Sequence, residues 1–388
     1  VKVALVTETF VPSVDGVVTR LSHAVSRLVA QGHEVMVIAP DLGVYEYAGA
    51  RIVGVTPVTL PFYKHRRFTL PTPRVDGIIR GFAPDVVHAA QPILLASSGA
   101  FAAHRQDIPL VASYHTHIPR YLDLYRAWKW GKPIVWRQIL RNHALADVNL
   151  VTSRTMRGEL AAKGVPNLHV LRRGVDTVGH SPAFASAAMR ERLSGGRPER
   201  TLLVFVGRLA AEKEIGRLRS LLDRRDDVAL AIIGDGPYRG ELEQQFRGTG
   251  TVFPGFMEGE ELASAFASAD AFAFPSVTET LGLVILESMA SGLPVLAARS
   301  GPTLEQVTDD VDGLLFDAAD ADVPGGSLDR AVDRLQEPGG GAAGGGEPSV
   351  RQRLGAAARA EAEKYSWEAA SDDLIGYYEM AIAQHGKA

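Results

Sequence analysis

The 388-residue sequence predicts an α/β protein built from two doubly wound parallel sheets, and three observations carry that prediction. The length exceeds one ordinary core and suits two domains of the usual size. Short apolar runs alternate with amphipathic segments in both halves, the order expected of a parallel sheet covered on both faces by helices. Charge divides near the middle: residues 1–175 carry a balance of +10 and residues 176–388 one of −14, within a net charge of −4. Two halves of opposite sign read as two domains, the first facing something anionic.

The elements follow in order. "VKVALVT" (1–7) is a short buried strand, "GVVTRLSHAVSRLVAQGH" (16–33) an amphipathic helix with Gly32 at its end, and "EVMVIAP" (34–40) a second strand. The same order recurs at "DVVHAA", "PLVASYHTH" and "VNLVTS". After the looser stretch "RRGVDTVGHSPAF" (172–184) it restarts, with "LLVFVG", "ALAIIGDG", "GTVFPG", "AFAFPS" and "PVLAAR" as strands. The expected domains are therefore 1–175 and 176–366. The final segment, "SWEAASDDLIGYYEMAIA", is a helix long enough to return to the first domain, so that 367–388 completes it. "EPGGGAAGGGEPS" (337–349) reads as a flexible surface loop.

Composition excludes several classes. With no cysteine there is no disulfide, thiolate chemistry or cysteine-bound metal. No apolar run is long enough to cross a bilayer, and the first residues read as a strand rather than a signal sequence. The expectation is a cytoplasmic protein with no nucleic-acid partner.

In doubly wound sheets ligands bind where strands end and helices begin, since helix N-termini offer N–H groups and a positive dipole. After the first strand, "TETFVPSVDGVVT" brings Gly16 to a helix start, where backbone approaches a phosphate closely. "FVGRLAAEKE" (205–214) carries Arg208 and Lys213, two cations able to clamp a diphosphate; a solvated Arg–Glu–Lys surface is an equal reading. "IIGDGPY" (232–238), with Gly234, suits backbone contact with a flat ring or an ordinary tight turn. "ETLGLVILE" (279–287) places Glu279 before a helix, backbone N–H groups of Thr280, Leu281, Gly282 and Leu283 at its start, and Glu287 two turns on. Eight helical residues separate the two carboxylates by roughly 12 Å, far too wide for a pair sharing one glycosidic bond. That span suits one ligand with hydroxyls at both ends and a diphosphate between.

Together "ETLGLVILESMASGLPV", "FVGRLAAEK", "GDGP", "DVVHAAQP" and "RGVD" resemble the retaining nucleotide-sugar glycosyltransferases of family four. "SYHTHIPRY" with "ETLGLV" is most similar to the sulfoquinovosyl-diacylglycerol synthase and glycolipid hexosyltransferase branch. The resemblance covers residues 1 to about 384. It implies the GT-B fold, two Rossmann-like domains facing across a cleft, the first the acceptor domain and the second the donor domain. It also implies roles: Glu279 on the transferred sugar, Glu287 on the ribose, Arg208 and Lys213 on the diphosphate, and His115 facing the sugar from the first domain. Gly16, Gly234 and the backbone of 280–283 would complete the donor site. Two positions depart from the family: His180 stands where an aromatic usually follows "GVD", and Ser300 where a second glycine is common.

The reaction implied moves a hexose, from a UDP-sugar or alternatively GDP-mannose, to a hydroxyl with retained configuration and no cofactor or metal. "DVD" (310–312) and "DAD" (320–322) match metal-binding carboxylate patterns superficially but read as solvated surface. His115 and His117 alternate on an extended stretch, so they point opposite ways and share no metal with His88. A sugar-nucleotide epimerase or a silent binding protein is the competing reading, since fold does not decide function. The acceptor is expected to be a lipid, with a small soluble acceptor as the alternative. The segment 119–143 carries Trp128, Trp130 and Trp136 with six basic residues against Asp123 alone, and "YKHRRF" (63–68) adds a second basic cluster. Tyr121, Leu124, Tyr125 and Trp128 are expected on one helical face. Such a surface suits an anionic membrane, peripherally, on the inner face of the plasma membrane.

Overall fold

A computed structural model of the chain describes residues 1–59, 67–124, 130–339 and 347–387. The chain divides into two compact units: Val1–Gly174 with Trp367–Ala388, and Val175–Ser366.

The first unit runs β1 (Lys2–Thr7), α1 (Gly16–Ala30), β2 (Glu34–Pro40), β3 (Glu46–Tyr47), β4 (Ala50–Val55), β5 (Val58–Thr59), β6 (Arg67–Phe68), α2 (Arg74–Phe82), β7 (Val86–Ala90), α3 (Leu95–Gln106), β8 (Leu110–Tyr114), α4 (Ile118–Leu124), α5 (Lys132–His143), β9 (Val148–Val151), α6 (Arg154–Ala162) and β10 (Leu168–Val170). Its main sheet has the order β10-β9-β8-β7-β1-β2-β4-β3. Only the β3–β4 pairing in it is antiparallel. Strands this apolar are buried on both faces: Val3 and Leu5 join α1 in one core layer, while Ala4 and Val6 face the layer of Val75, Ile79 and Leu95. This period of two lets one strand serve both layers.

The second unit runs α7 (Ala187–Leu193), β11 (Thr201–Val206), α8 (Arg219–Arg224), β12 (Val228–Ile233), α9 (Arg239–Gln245), β13 (Val252–Gly255), α10 (Gly259–Ala267), β14 (Ala271–Phe274), α11 (Leu283–Ala290), β15 (Val295–Ala298), α12 (Gly301–Leu304), β16 (Gly313–Phe316), α13 (Ser327–Leu335) and α14 (Val350–Ala362). All six strands are parallel. Their order, β13-β12-β11-β14-β15-β16, is the 3-2-1-4-5-6 sequence of a dinucleotide-binding sheet. Leu203 and Phe205 face one core, and Leu202 and Val204 the other.

The last helix, α15 (Trp367–Gln384), belongs to the first unit. Leu374, Ile375 and Tyr378 enter the layer containing α1, and Asp372 holds Arg27 of α1 at 2.8 Å. Among the described residues no helix is long and apolar enough to cross a membrane.

Candidate active site

In the second unit the strand order reverses between β11 and β14, so the crevice that binds ligands in such sheets lies at their carboxyl ends. The loop after β11 contains Arg208 and a 3-10 turn, Ala211–Lys213; the loop after β14 contains Glu279. These two loops are stitched together. The Ser276 and Thr278 hydroxyls each donate to the Glu212 carbonyl at 2.9 Å. The Val277 N–H donates to the Glu214 carboxylate at 3.1 Å. One ion pair, Lys213 with Glu279, closes the seam, and a second, Arg208 with Glu212, lies within the β11 loop itself. The Lys213 and Glu279 side chains keep only 17% and 12% of their exposure, so each charge is felt through less water than at an open surface. Thus Arg208, Lys213 and Glu279 do converge, although the two cations already face carboxylates.

The helix behind this loop begins later than its sequence indicates. Gly282, at φ +77°, is the N-cap of α11, and no side chain caps it. A left-handed φ ends any continuous helix there and favours glycine, so Glu279 to Gly282 form a loop. Glu287 therefore lies little more than one turn into α11, and the rise of eight helical residues does not measure its separation from Glu279. The Gln306 side-chain amide donates to the Leu281 carbonyl and fixes the loop. Thr280 and Leu281 are buried in it, and Leu283 starts the helix. Burial pushes the Glu287 carboxyl up to about 7. Gly234, at φ +132°, donates its N–H to the Gly255 carbonyl at 2.8 Å. A Cβ on it would lie 2.0 Å from the Gly207 carbonyl. Close packing of two strand ends is thus reason enough for that glycine.

Gly16 and His115 belong to the first unit, whose strand order reverses between β1 and β7. Here Glu8 accepts from the N–H groups of Leu94, Leu95 and Ala96 at 2.7, 3.1 and 3.1 Å, capping α3. Burial pushes its carboxyl up to about 7, against the pull of these backbone donors. Asp15 likewise accepts from Val17 and Val18 at 2.9 and 3.0 Å. The two N–H groups that follow Gly16 are therefore already bonded, because a β-region aspartate before a helix reaches them first.

His115 sits just past β8. Its own N–H and that of Thr116 both donate to the Gln91 side-chain oxygen at 2.6 Å, and Gln91 returns a bond to the Thr116 carbonyl at 3.0 Å. The His115 ring approaches Ser113 Oγ at 2.7 Å. His117 instead meets Tyr114 at 3.2 Å and Glu159 at 3.0 Å, so the two rings diverge. Burial, then the Arg20 guanidinium, holds His115 well below the usual histidine range, and the ring is neutral.

The aspartates read as solvated surface are partly structural. Asp312 is 5% exposed and accepts from the Thr308 N–H at 2.8 Å, closing the turn before β16, a strand the sequence reading omitted. Asp310 is held by Arg334 and Arg353. Asp320 accepts from Ser327 at 3.2 Å and Asp322 from Ser220 at 2.9 Å. Among the described residues no group of three histidine or acidic side chains is placed to hold a metal. His180 packs edge-on against Phe266. Gln91, Glu214 and Gln306 lay inside or beside the quoted motifs and were missed, because a side chain that braces a loop leaves no spacing signal. Of the basic segments, Tyr125 to Lys129, with Trp128, and Tyr63 to Arg66 lie outside the described residues, as does most of the glycine-rich loop.

Comparison with known proteins bears on the family and the fold. Residues 14–178 match the model of Glycosyltransferase Family 4, and residues 191–335 that of Glycosyl transferases group 1. A sulfoquinovosyl transferase of Arabidopsis thaliana is 37% identical over 93% of this chain and 70% of its own. A GDP-mannose-dependent alpha-mannosyltransferase of Mycolicibacterium smegmatis is 34% identical over 99% and 98%. An alpha-monoglucosyldiacylglycerol synthase of Streptococcus pneumoniae is 27% identical over 85% and 78%. Among solved structures, Anabaena HepE in complex with UDP superposes with a TM-score of 0.74 at 18% identity, over 98% of this chain and 100% of that one. The fold is GT-B in class.

Proposed function

The chain belongs to the family 4 glycosyltransferases, and on that premise we propose that it moves a hexose from a UDP-sugar to a lipid hydroxyl with retention. The observation that carries the reading is the β11–β14 crossover. There the Lys213–Glu279 pair, Arg208 and the α11 N-terminus without a side-chain cap lie at the carboxyl ends of adjacent strands, with the half-buried Glu287 little more than one turn into α11.

In this reading Arg208, Lys213 and the N–H groups of 280–283 receive the diphosphate as its negative charge develops. Lys213 then leaves Glu279, whose carboxylate turns to accept hydroxyls of the transferred sugar. Glu287 accepts from the ribose, a partner that replaces the water its burial has removed. No carboxylate is assigned as a nucleophile. The acceptor hydroxyl attacks the anomeric carbon on the face the diphosphate leaves, and its proton passes to a departing phosphate oxygen. His115, neutral and fixed by Gln91 and Ser113, contacts the sugar. These steps require neither cofactor nor metal, so transfer should continue in excess EDTA.

The lipid acceptor is favoured by the diacylglycerol-modifying relative and by a surface around α5. Trp130 and Ile134 are 69% and 63% exposed there, and Arg137 and Arg141 are exposed on the same helix. Aromatic and basic groups together suit a headgroup layer, each cation adding about 1 kcal/mol near an anionic surface. The mannosyltransferase relative, matched over nearly its whole length, supports GDP-mannose as the second donor.

One assay tests the proposal: transfer from UDP-sugars and GDP-mannose to diacylglycerol in anionic and neutral vesicles, with the Glu279→Ala variant alongside. The expected result is UDP-sugar transfer, faster on anionic vesicles and abolished in the variant. Transfer only from GDP-mannose, or only to soluble acceptors, would replace the donor or acceptor reading. Wild-type rates in Glu279→Ala would remove that residue from the site.

A further inference from the structure

We propose that the Tyr378 hydroxyl, acting through His88 and Ser113, fixes His115 in the tautomer that carries its proton on Nδ1. Four buried groups of the first unit form one chain. Tyr378 Oη on α15 lies 2.9 Å from His88 Nδ1 on β7. His88 Nε2 lies 2.7 Å from Ser113 Oγ on β8, and Ser113 Oγ lies 2.7 Å from His115 Nε2. Exposure is 2% at Tyr378, 1% at His88, 0% at Ser113 and 6% at His115.

Hydrogen counting gives the chain a direction. A serine hydroxyl has one proton, so between two ring nitrogens it donates to one and accepts from the other. The two histidines must therefore be protonated differently at Nε2, and the buried phenol at the far end biases which way. Among the described residues Tyr378 Oη meets His88 Nδ1 and no other hydrogen-bonding group. If the phenol donates to His88 Nδ1, the His88 proton sits on Nε2 and donates to Ser113. Ser113 then donates to His115 Nε2, and the His115 proton is left on Nδ1. The opposite direction would bury the phenol O–H without an acceptor, which lowers its population roughly 10- to 100-fold.

The same burial keeps the chain uncharged, since His88 is pushed down to about 3 and the hydroxyl of Tyr378 far up. Besides the chain itself, Arg20 of α1 and His143 of α5 act on His115, and both oppose its protonation. The consequence concerns recognition. His115 offers a donor at Nδ1, whereas the other tautomer would offer only a lone pair there. Tyr378 and His88 are thus positioning residues, 263 and 27 positions from His115 in sequence. The functional weight of this rests on His115 contacting the sugar, as proposed above.

Selective ¹⁵N-histidine labelling of the full chain tests it, with His115 assigned by the loss of its signals in His115→Gln. The wild-type protein should show a protonated Nδ1 and an unprotonated Nε2 at His115. Tyr378→Phe keeps the ring and removes the directing hydroxyl. It should shift both signals toward a mixture and lower kcat about two- to tenfold with the donor KM unchanged. In a Ser113→Ala background the same substitution should change nothing further at His115. A wild-type Nε2–H tautomer, or no response to Tyr378→Phe, overturns the proposal, as does a response that survives Ser113→Ala. A shifted tautomer with unaltered kcat would leave the relay standing and instead overturn the assignment of His115 to the sugar.

Discussion

Replacing Glu287 with glutamine separates what this side chain does for the fold from what it does for the donor. Burial raises its carboxyl from 4.5 to about 7, with no cation among the described residues offsetting it. An acid with a raised folded pKa binds its proton more tightly when folded. The carboxyl therefore carries no penalty below pH 4.5, and stability falls as pH rises from about 4.5 to 7. The full shift corresponds to about 3 kcal/mol at pH 8. Because the residue is only half-buried, solvent screening reduces this to about 1–2 kcal/mol. Glu287→Gln keeps the shape and removes the charge, so the second unit should melt roughly 2–8 °C higher at pH 8. At pH 4.5 the two proteins should melt together. The same variant should bind UDP more weakly, since an amide oxygen accepts from ribose less strongly than a carboxylate. Thermal denaturation at both pH values, with and without UDP, reads all three effects. Equal melting at pH 8, or a stabilisation of the same size at pH 4.5, would refute the reasoning.

Two further substitutions test the scaffolding of the site. Glu8→Ala removes the acceptor of the α3 N–H groups and should destabilise the first unit by about 1–2 kcal/mol in urea; an unchanged midpoint would show that water replaces the cap. Gly234→Ala forces a Cβ against the Gly207 carbonyl at φ +132°. It should cost more than about 3 kcal/mol, seen as loss of folded second unit by circular dichroism, whether or not donor is present.

The sequence by itself determined the α/β class, because parallel strands buried on both faces must be written as continuous apolar runs, as "VKVALVT" and "LLVFVG" are. It also placed Arg208, Lys213 and Glu279 on loops at strand ends, where residue type and position suffice. It missed β4 and β16, since "ARIVGV" and "GLLF" carry charge, glycine or brevity that hides the pattern until neighbouring strands pair with them. Only the tertiary structure decided which charges meet. Lys213 and Glu279 are 66 residues apart, and their pairing follows from the parallel order of β11 beside β14. Only the tertiary structure set the start of the helix after Gly282, because a positive φ is a property of the folded loop and not of a spacing. Only it joined Tyr378 to His115, through two strands and a helix that arrives from the far end of the chain. Local pattern reports which face a residue occupies, whereas hydrogen-bond partners depend on which strands lie side by side.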